Sequence, residues 1–322
     1  MGIWSGYETA ARAFLFIGLG CGLAPACHAE DRVAITPRVV SHRKISPNPA
    51  IRVDIKLTLI PVTVTNSLGA PYPGLPQSAF RLLEDGVEQQ LKSFASEDGP
   101  VSLGVVFDAS RSMTGKLDQS RAAVSRFFRT ATAGDEFFLI EFNDTPRILC
   151  DFTTDTEEIE KKLVDIKPKN WTALFDSVYM AIQQMRHAKN PRKALLILSD
   201  GGDNNSRYTE SEMKNLVREA DVSIYSIGLL GGGFVRRHAQ LLRQLSEETG
   251  GHFYQVDKMA DLPDAVAQVS AALRQQYLLG YSSTNPENDG MYRKIEVRLN
   301  PEINPLRLRA SWRTGYYAPA AW

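Results

Sequence analysis

Between residues 101 and 256, short apolar runs alternate with longer amphipathic segments, and this alternation limits the possible folds more than any other feature of the chain. The most apolar run covers residues 194–198, and apolar residues recur at helical spacing over residues 117–128. Continuous apolar strands separated by amphipathic helices are typical of a mostly parallel sheet with both faces covered. We therefore predict an α/β fold with a doubly wound, mostly parallel six-stranded sheet and helices on both faces. The six predicted strands lie at 103–107, 137–142, 147–152, 194–198, 222–229 and 252–256, and the third returns beside the second as an edge hairpin.

The sequence on either side of this region is richer in short strands and turns. Before it, Asp85-Gly86 lies between two apolar runs and predicts a hairpin whose return strand covers residues 87–94. After it, apolar and polar residues alternate over residues 294–299. Because three strands alone make a poor core, we expect both flanks to complete one β-sandwich-like domain, into which the α/β domain is inserted. The predicted organisation is a signal peptide at 1–29, a linker at 30–50, the first half of the β-rich domain at 51–98, the α/β domain at 101–275 and the second half of the β-rich domain at 277–318.

The N-terminal segment has the order of regions found in a secretory signal. Arg12 precedes an apolar stretch over residues 13–23, and small residues follow it. The stretch is shorter than the roughly 20 apolar residues that a membrane span needs. We predict cleavage after Ala29 or Ala26, an exported protein (periplasmic, secreted or on the cell surface) and no transmembrane span in the mature chain. An uncleaved anchor and a lipid-modified cysteine in the same segment are the alternatives.

Charge and cysteine content exclude several classes of protein. The 37 Lys and Arg residues balance 37 Asp and Glu residues, so the formal net charge is zero. This balance gives no support to nucleic-acid binding or to anionic-membrane binding as the main function. Three cysteines in 322 residues exclude a disulfide framework, and removal of the signal would leave only Cys150.

Oxygen-bearing side chains follow two of the predicted strands. Asp108 and Asp200 each follow an apolar strand, Ser110 and Ser112 come at alternating positions after Asp108, and a third polar loop carries Thr172. In the common strand order 3-2-1-4-5-6, the first and fourth strands are neighbours at the switch point where ligands bind. Five oxygen donors without His or Cys describe a site for a hard cation. We therefore predict a metal site made of these five residues, with Mg²⁺ as the metal and Mn²⁺ or Ca²⁺ as alternatives.

This predicted site is incomplete without a further ligand. Only two of its five donors are carboxylates, and their two charges only neutralise a divalent ion. Mg²⁺ tolerates an open coordination shell because it keeps waters or accepts an oxygen from outside. A carboxylate that belongs to a partner is therefore a suitable last ligand.

The five residues resemble the metal-ion-dependent adhesion site of von Willebrand factor type A domains, an Asp-x-Ser-x-Ser loop with a distant Thr and a distant Asp. The resemblance covers roughly residues 101–275. It implies that the two Ser hydroxyls bind the metal directly, that the Asp residues often act through water, and that the Thr joins when a ligand binds. It also implies that an acidic side chain of a partner fills the last position. The matching segments are Phe107-Asp108-Ala109-Ser110-Arg111-Ser112-Met113, Trp171-Thr172-Ala173-Leu174-Phe175-Asp176 and Leu198-Ser199-Asp200-Gly201-Gly202-Asp203-Asn204.

The sequence outside those segments qualifies the resemblance in two ways. The flanking residues 82–86 and 315–319 are similar to bacterial exported proteins of the type-A-related group. Asn170-Trp171 replaces the Gly-Gly that often precedes the Thr, which indicates a stiffer loop. We place Asp176 beside the site, as support for a site loop or for a helix dipole, and Asp203 at its rim or in a solvated loop.

We predict a non-enzymatic binding or adhesion protein, which uses a divalent cation to capture an acidic group of a protein or other ligand. One alternative is a metal-dependent phosphohydrolase of the haloacid dehalogenase type, although Ser110 stands where its second Asp is needed. Another is a purely structural calcium module at Asp200, Asp203 and Asn204. Ser110 and Ser112 could also act only as helix caps. Gly115-Lys116 lacks the other residues of a phosphate-binding loop.

Overall fold

The computed structural model describes residues 57–67, 69–96, 99–200, 202–229, 236–301 and 308–320. The predicted signal peptide at 1–29 and linker at 30–50 lie outside the described residues. Within the described part, none of the helices combines the length and the apolar character that crossing a bilayer requires.

The described residues form fourteen β-strands and six α-helices. In chain order the strands are β1 (Thr58–Thr65), β2 (Phe80–Glu84), β3 (Val87–Gln89), β4 (Leu91–Ala95), β5 (Val101–Asp108), β6 (Glu136–Phe142), β7 (Pro146–Thr153), β8 (Arg192–Ser199), β9 (Ser223–Leu229), β10 (Phe253–Val256), β11 (Gln276–Tyr281), β12 (Tyr292–Leu299), β13 (Arg309–Trp312) and β14 (Gly315–Tyr317). The helices are α1 (Leu117–Phe128), α2 (Thr156–Val164), α3 (Leu174–Met185), α4 (Glu210–Glu219), α5 (Arg236–Glu248) and α6 (Leu262–Arg274).

The central sheet has six strands in the order β10-β9-β8-β5-β6-β7. Read from the β7 edge, this is the predicted order 3-2-1-4-5-6. Strands β10, β9, β8, β5 and β6 are parallel, and β7 returns antiparallel to β6 at the edge. The predicted doubly wound α/β fold is therefore confirmed, with one antiparallel edge strand in an otherwise parallel sheet.

Helices cover both faces of this sheet. Successive residues of a strand point to opposite sides, so strands that are apolar throughout present an apolar surface on each face. All residues of β5, β6 and β9 are buried. Val105 packs in an apolar cluster with residues of α1, α2 and α6, whereas its neighbour Val106 packs with residues of α3, α4 and α5. Burial of each such side chain contributes about 1.5–3 kcal/mol to folding, so the strands lose roughly half of this stabilisation if either layer is removed.

Two further four-stranded sheets lie in the flanks, in the orders β13-β1-β11-β4 and β14-β12-β2-β3. Each combines strands that precede the central sheet in the sequence with strands that follow it. Val62 and Leu279 from the first sheet share an apolar cluster with Leu82 and Val297 from the second. The flanks thus contribute to one common core, as a sandwich requires. The boundaries at 51–98 and 277–318 stay a prediction.

The predicted return strand at 87–94 is wrong in one respect, since it is two strands rather than one. β3 pairs with β2, whereas β4 pairs with β11 in the other flanking sheet. The change of sheet takes place at Gln90, between the two strands. The turn before β3 has Asp85 at φ 48° and Gly86 at φ 83°, the left-handed conformations that an Asp-Gly hairpin turn uses.

Candidate metal centre

Strand pairing brings the two aspartates to the same edge of the central sheet. β5 and β8 are parallel neighbours, and Phe107 pairs with Leu198. Asp108 therefore ends β5 beside Ser199, which ends β8, and Asp200 is the next residue. Carboxyl ends of neighbouring parallel strands at a switch point are where open α/β sheets bind ligands.

Asp108 is fully buried and both of its carboxylate oxygens accept hydrogen bonds. The Ser110 backbone N–H donates to Oδ1 over 2.8 Å, and the Ser199 hydroxyl donates to Oδ2. Burial raises the pKa of Asp108 to about 6, the nearby charge of Asp200 adds to the rise, and the hydrogen bonds from Ser110 and Ser199 oppose it. Two carboxylates in so little solvent repel each other, and a divalent cation between them would relieve that repulsion.

The two serines link the two aspartates. The hydroxyls of Ser110 and Ser112 are hydrogen-bonded to each other over 3.0 Å, and the Ser112 hydroxyl donates to Asp200 Oδ1 over 3.0 Å. Four of the five predicted residues therefore form one hydrogen-bonded chain, from Asp108 through both serines to Asp200.

The serines do not act as helix caps. Ser110 precedes the short 3-10 turn Arg111–Met113, but its side chain makes no capping hydrogen bond. α1 begins only at Leu117. The hydroxyls of Ser110 and Ser112 are instead turned towards each other and towards Asp200, which leaves the capping alternative unsupported.

Thr172 lies against the loop that follows Asp200, but outside that hydrogen-bonded chain. Its backbone N–H donates to Asn204 Oδ1 over 2.9 Å, and its carbonyl accepts from the backbone N–H groups of Asn204 and Asn205. The Trp171 N–H donates to Oδ1 of Asp144, which lies in the loop between β6 and β7. Within the described part of the chain, the Thr172 hydroxyl makes no hydrogen bond, so its backbone is fixed while its side-chain oxygen has no partner there.

Asp176 and Asp203 hold the loop beside the site and the start of α3 together. Asp176 Oδ1 accepts from the backbone N–H groups of Arg207 and Tyr208. Asp203 Oδ2 accepts from the Phe175 N–H over 3.0 Å, in the first turn of α3, where a negative charge is favourable. The Asp203 carboxylate is therefore bonded to a helix start, so the loop around it is not simply solvated.

Lys116 was not predicted from the sequence, and it contacts the site directly. Its ammonium donates to Asp200 Oδ2 over 2.9 Å and to the Leu229 carbonyl over 3.2 Å. Its position just before α1, four residues after Ser112, is the only signal that sequence reasoning could have used.

The donor set fits a hard divalent cation. Asp108, Ser110, Thr172 and Asp200 are buried, whereas Ser112 is exposed, so the network opens to solvent at Ser112. The neighbouring Trp171 is 54% exposed. Among the described residues, no group of three or more His, Cys, Asp or Glu could hold a metal. A metal here would therefore depend on hydroxyl oxygens together with two carboxylates, a ligand set that suits Mg²⁺, Mn²⁺ or Ca²⁺.

Comparison with known sequences and structures gives a consistent family. The family model of the von Willebrand factor type A domain matches residues 103–268. An uncharacterized protein of Borreliella burgdorferi is 28% identical over an alignment of 177 residues, and the match covers 48% of this chain and 51% of that protein. Inter-alpha-trypsin inhibitor heavy chain H4 of Sus scrofa is 26% identical over an alignment of 203 residues, and the match covers 58% of this chain and 22% of that protein. The chain thus spans about half the length of the first curated relative and about a fifth of the second.

A solved structure agrees at the level of the fold. Proximal thread matrix protein 1 from the mussel byssus superposes with a TM-score of 0.50 and 18% sequence identity. The match covers 59% of this chain and 51% of the mussel protein. At this identity the similarity shows the fold alone.

Proposed function

The chain belongs to the von Willebrand factor type A family, and from that premise we propose that it binds a partner through a divalent cation held at the carboxyl edge of its central sheet. Domains of this family typically mediate metal-dependent adhesion. The observation that carries the proposal is the hydrogen-bonded chain from Asp108 through Ser110 and Ser112 to Asp200. It collects four oxygen-bearing side chains from two separate loops at one solvent-accessible point.

The residues proposed to hold the cation are Asp108, Ser110, Ser112, Thr172 and Asp200. Mg²⁺ is the proposed metal, with Mn²⁺ and Ca²⁺ as alternatives. When bound, the cation would supply positive charge beside the two buried carboxylates of Asp108 and Asp200. Thr172 joins the set on the strength of its fixed backbone and its hydroxyl without a hydrogen bond in the described part of the chain.

The proposed partner is a protein or other ligand that presents a carboxylate. Two aspartate charges only neutralise a divalent ion, so an acidic group from outside can be accepted without a large excess of negative charge. We further propose that the protein is exported, and that the β-rich domain formed by both flanks presents the metal site to its partner.

The two alternative functions fit the contacts less well. A phosphohydrolase of the haloacid dehalogenase type needs a second aspartate two residues after its nucleophile to transfer a proton, and Ser110 stands at that position. A structural calcium module needs Asp203 and Asn204 to face Asp200. Asp203 instead accepts from the start of α3, and Asn204 accepts from the Thr172 N–H. We therefore propose a non-enzymatic role.

Metal-dependent stability tests the proposal directly. Mg²⁺ at about 100 times its Kd is expected to raise the free energy of unfolding by about 2.7 kcal/mol, measured by chemical denaturation with and without a chelator. Asp108→Asn keeps the size of the side chain but is expected to lose the response to Mg²⁺. Asp118→Asn on the exposed face of α1 is the matched control and should respond like the wild type.

Partner capture provides the second readout. The wild type should retain envelope proteins in Mg²⁺ and release them in chelator, whereas Asp108→Asn should retain none. If chelator and Mg²⁺ leave the unfolding curve of the wild type unchanged, the proposed metal site is wrong.

A further inference from the structure

A lysine ammonium forms an ion pair with one of the carboxylates of the proposed metal site. Lys116 Nζ lies 2.9 Å from Asp200 Oδ2 and 3.2 Å from the Leu229 carbonyl oxygen. The pair is largely removed from solvent, since the side chains of Lys116 and Asp200 are 19% and 5% exposed. Ion pairs with so little solvent contact are screened far less than surface pairs.

The ammonium and the proposed cation would meet at the same carboxylate. Asp200 Oδ1 accepts from the Ser112 hydroxyl, and Asp200 Oδ2 accepts from Lys116. Either oxygen can reach a metal only if its present donor gives way or shares it. A divalent ion and an ammonium beside the same carboxylate also repel each other, and this repulsion is stronger in a poorly solvated place than in bulk water.

We propose that Lys116 is a built-in counter-cation, which neutralises Asp200 while no divalent ion is bound and which the ion must displace from Asp200 in order to bind. This inference rests on the proposed function, because it concerns the same site. Its content is different, since it assigns to Lys116 the role of setting how tightly the metal binds. Lys116 keeps the metal-free site folded, and it weakens the metal affinity in return.

The second contact of Lys116 extends the consequence beyond the site. Leu229 is the last residue of β9, whereas Lys116 lies immediately before α1. The ammonium therefore connects the start of α1, which follows β5, to the end of β9. In the sheet, β9 lies two strands away from β5. Displacement of the ammonium by a metal would release this tie together with Asp200.

Replacement of the lysine separates its charge from its packing. Lys116→Met keeps most of the length of the side chain and removes the charge, whereas Lys116→Arg keeps the charge. The matched control is Lys214→Met, because Lys214 is 20% exposed and pairs with Glu210 over 2.6 Å on α4, outside the site. Mg²⁺ binding is measured by isothermal titration calorimetry on the full chain, and thermal unfolding is measured in chelator.

We expect Lys116→Met to bind Mg²⁺ about tenfold more tightly than the wild type, which corresponds to about 1.4 kcal/mol. In chelator the same variant should unfold at a lower temperature than the wild type, because Asp200 then lacks its counter-charge. Lys116→Arg and Lys214→Met should bind Mg²⁺ as the wild type does. If Lys116→Met fails to fold, Lys116→Gln removes the charge with a side chain that can still donate a hydrogen bond, and it is expected to give the same tighter binding.

The outcomes distinguish this inference from the proposed function. If the wild type binds Mg²⁺ and the uncharged variants bind it no more tightly, the role of Lys116 is overturned and the proposed function stands. If only the uncharged variants bind Mg²⁺, the inference is supported, and metal-dependent capture by the native chain is overturned. If none of the proteins binds Mg²⁺, both are overturned.

Discussion

Single side chains at the site differ in whether their hydrogen bonds are already made. The Ser112 hydroxyl is bonded to Asp200, whereas the Thr172 hydroxyl makes no hydrogen bond in the part of the chain that the structure describes. A substitution at Ser112 therefore changes the metal-free protein and the metal site together. A substitution at Thr172 can change metal binding without changing the stability of the metal-free protein.

Thr172→Val replaces the hydroxyl with a methyl group of similar size. We expect the free energy of unfolding in chelator to change by less than about 0.5 kcal/mol, because no protein hydrogen bond is lost. We expect the affinity for Mg²⁺ to fall about tenfold, because a donor of the proposed ligand set is lost. Urea denaturation in chelator and calorimetric titration with Mg²⁺ measure the two effects.

Thr130→Val is the control for the chemistry of that substitution. The Thr130 hydroxyl is bonded to the Phe127 carbonyl and to the Ser270 hydroxyl, so its loss should cost about 1 kcal/mol without any effect on Mg²⁺ binding. Unchanged Mg²⁺ affinity in Thr172→Val would remove Thr172 from the proposed ligand set.

The strand pattern predicted that Asp108 and Asp200 lie together, whereas Thr172 was proposed only from its polar loop and from the family resemblance. Asp108 and Asp200 each come directly after an apolar run, and parallel strands at a switch point bring such positions together. Lys116 could not be predicted in this way. Its partner Asp200 is 84 residues away, and the contact depends on the reach of a flexible side chain across loops that the strand pattern does not describe.

At the scale of whole elements, one buried carboxylate joins three of them. Asp135 lies just before β6, accepts from the Val101 N–H at the start of β5, and pairs with Arg274 at the end of α6. Burial alone would raise the pKa of Asp135. The hydrogen bonds from Arg274 and from the Thr132 and Val101 N–H groups outweigh burial, and they hold the pKa below its ordinary value.

The lowered pKa of Asp135 predicts how stability depends on pH. An acid with a lower pKa in the folded state stabilises the protein above its unfolded pKa of about 4, and this contribution is lost as the pH falls through the folded pKa. Asp135→Asn should therefore lower the free energy of unfolding at pH 7 by about 2–4 kcal/mol. Between pH 5 and pH 3, the free energy of unfolding should fall less in this variant than in the wild type.

Urea denaturation at a series of pH values measures this difference. Asp118→Asn is again the control, because Asp118 is exposed and pairs with Arg121 on its own helix. The interpretation fails if Asp135→Asn and the wild type lose the same free energy between pH 5 and pH 3.

Helices and strands that bury many apolar side chains could be predicted from the sequence, whereas those that bury few were missed. The strands of the central sheet are buried along their whole length and stand out as apolar runs. α4 was not predicted, because it buries only Met213 and Val217, and two residues make a thin apolar stripe. Its start does carry a local signal, since Thr209 and Glu212 form a capping box.

At the scale of the whole molecule, the two flanks are held together by strand pairing and also by a buried carboxylate. Glu84 in β2 accepts hydrogen bonds from Tyr281 in β11, from Ser283 and from Tyr316 in β14. The three donors lie 197, 199 and 232 residues further along the chain. The sequence indicates that both flanks are rich in strands, but pairing over such separations cannot be inferred from alternation alone, since every half-buried strand has the same period.

Glu84→Ala tests whether the flanking sheets and the metal site are stabilised independently. The substitution leaves the buried Tyr281 hydroxyl and two partly buried hydroxyls without this acceptor and opens a cavity, so we expect the flanking sheets to lose about 2–4 kcal/mol of stability. Hydrogen exchange should accelerate in β2 and β12, while β5 and β8 keep their protection. The Mg²⁺ affinity should stay within about twofold of the wild type, because the proposed ligands lie at the edge of the central sheet.

Glu88→Ala, which removes an exposed ion pair with Arg81 in the same sheet, is the control and should change neither the stability nor the Mg²⁺ affinity. A parallel loss of Mg²⁺ affinity in Glu84→Ala would mean that the two parts unfold as one cooperative unit and that the flanks help to shape the site.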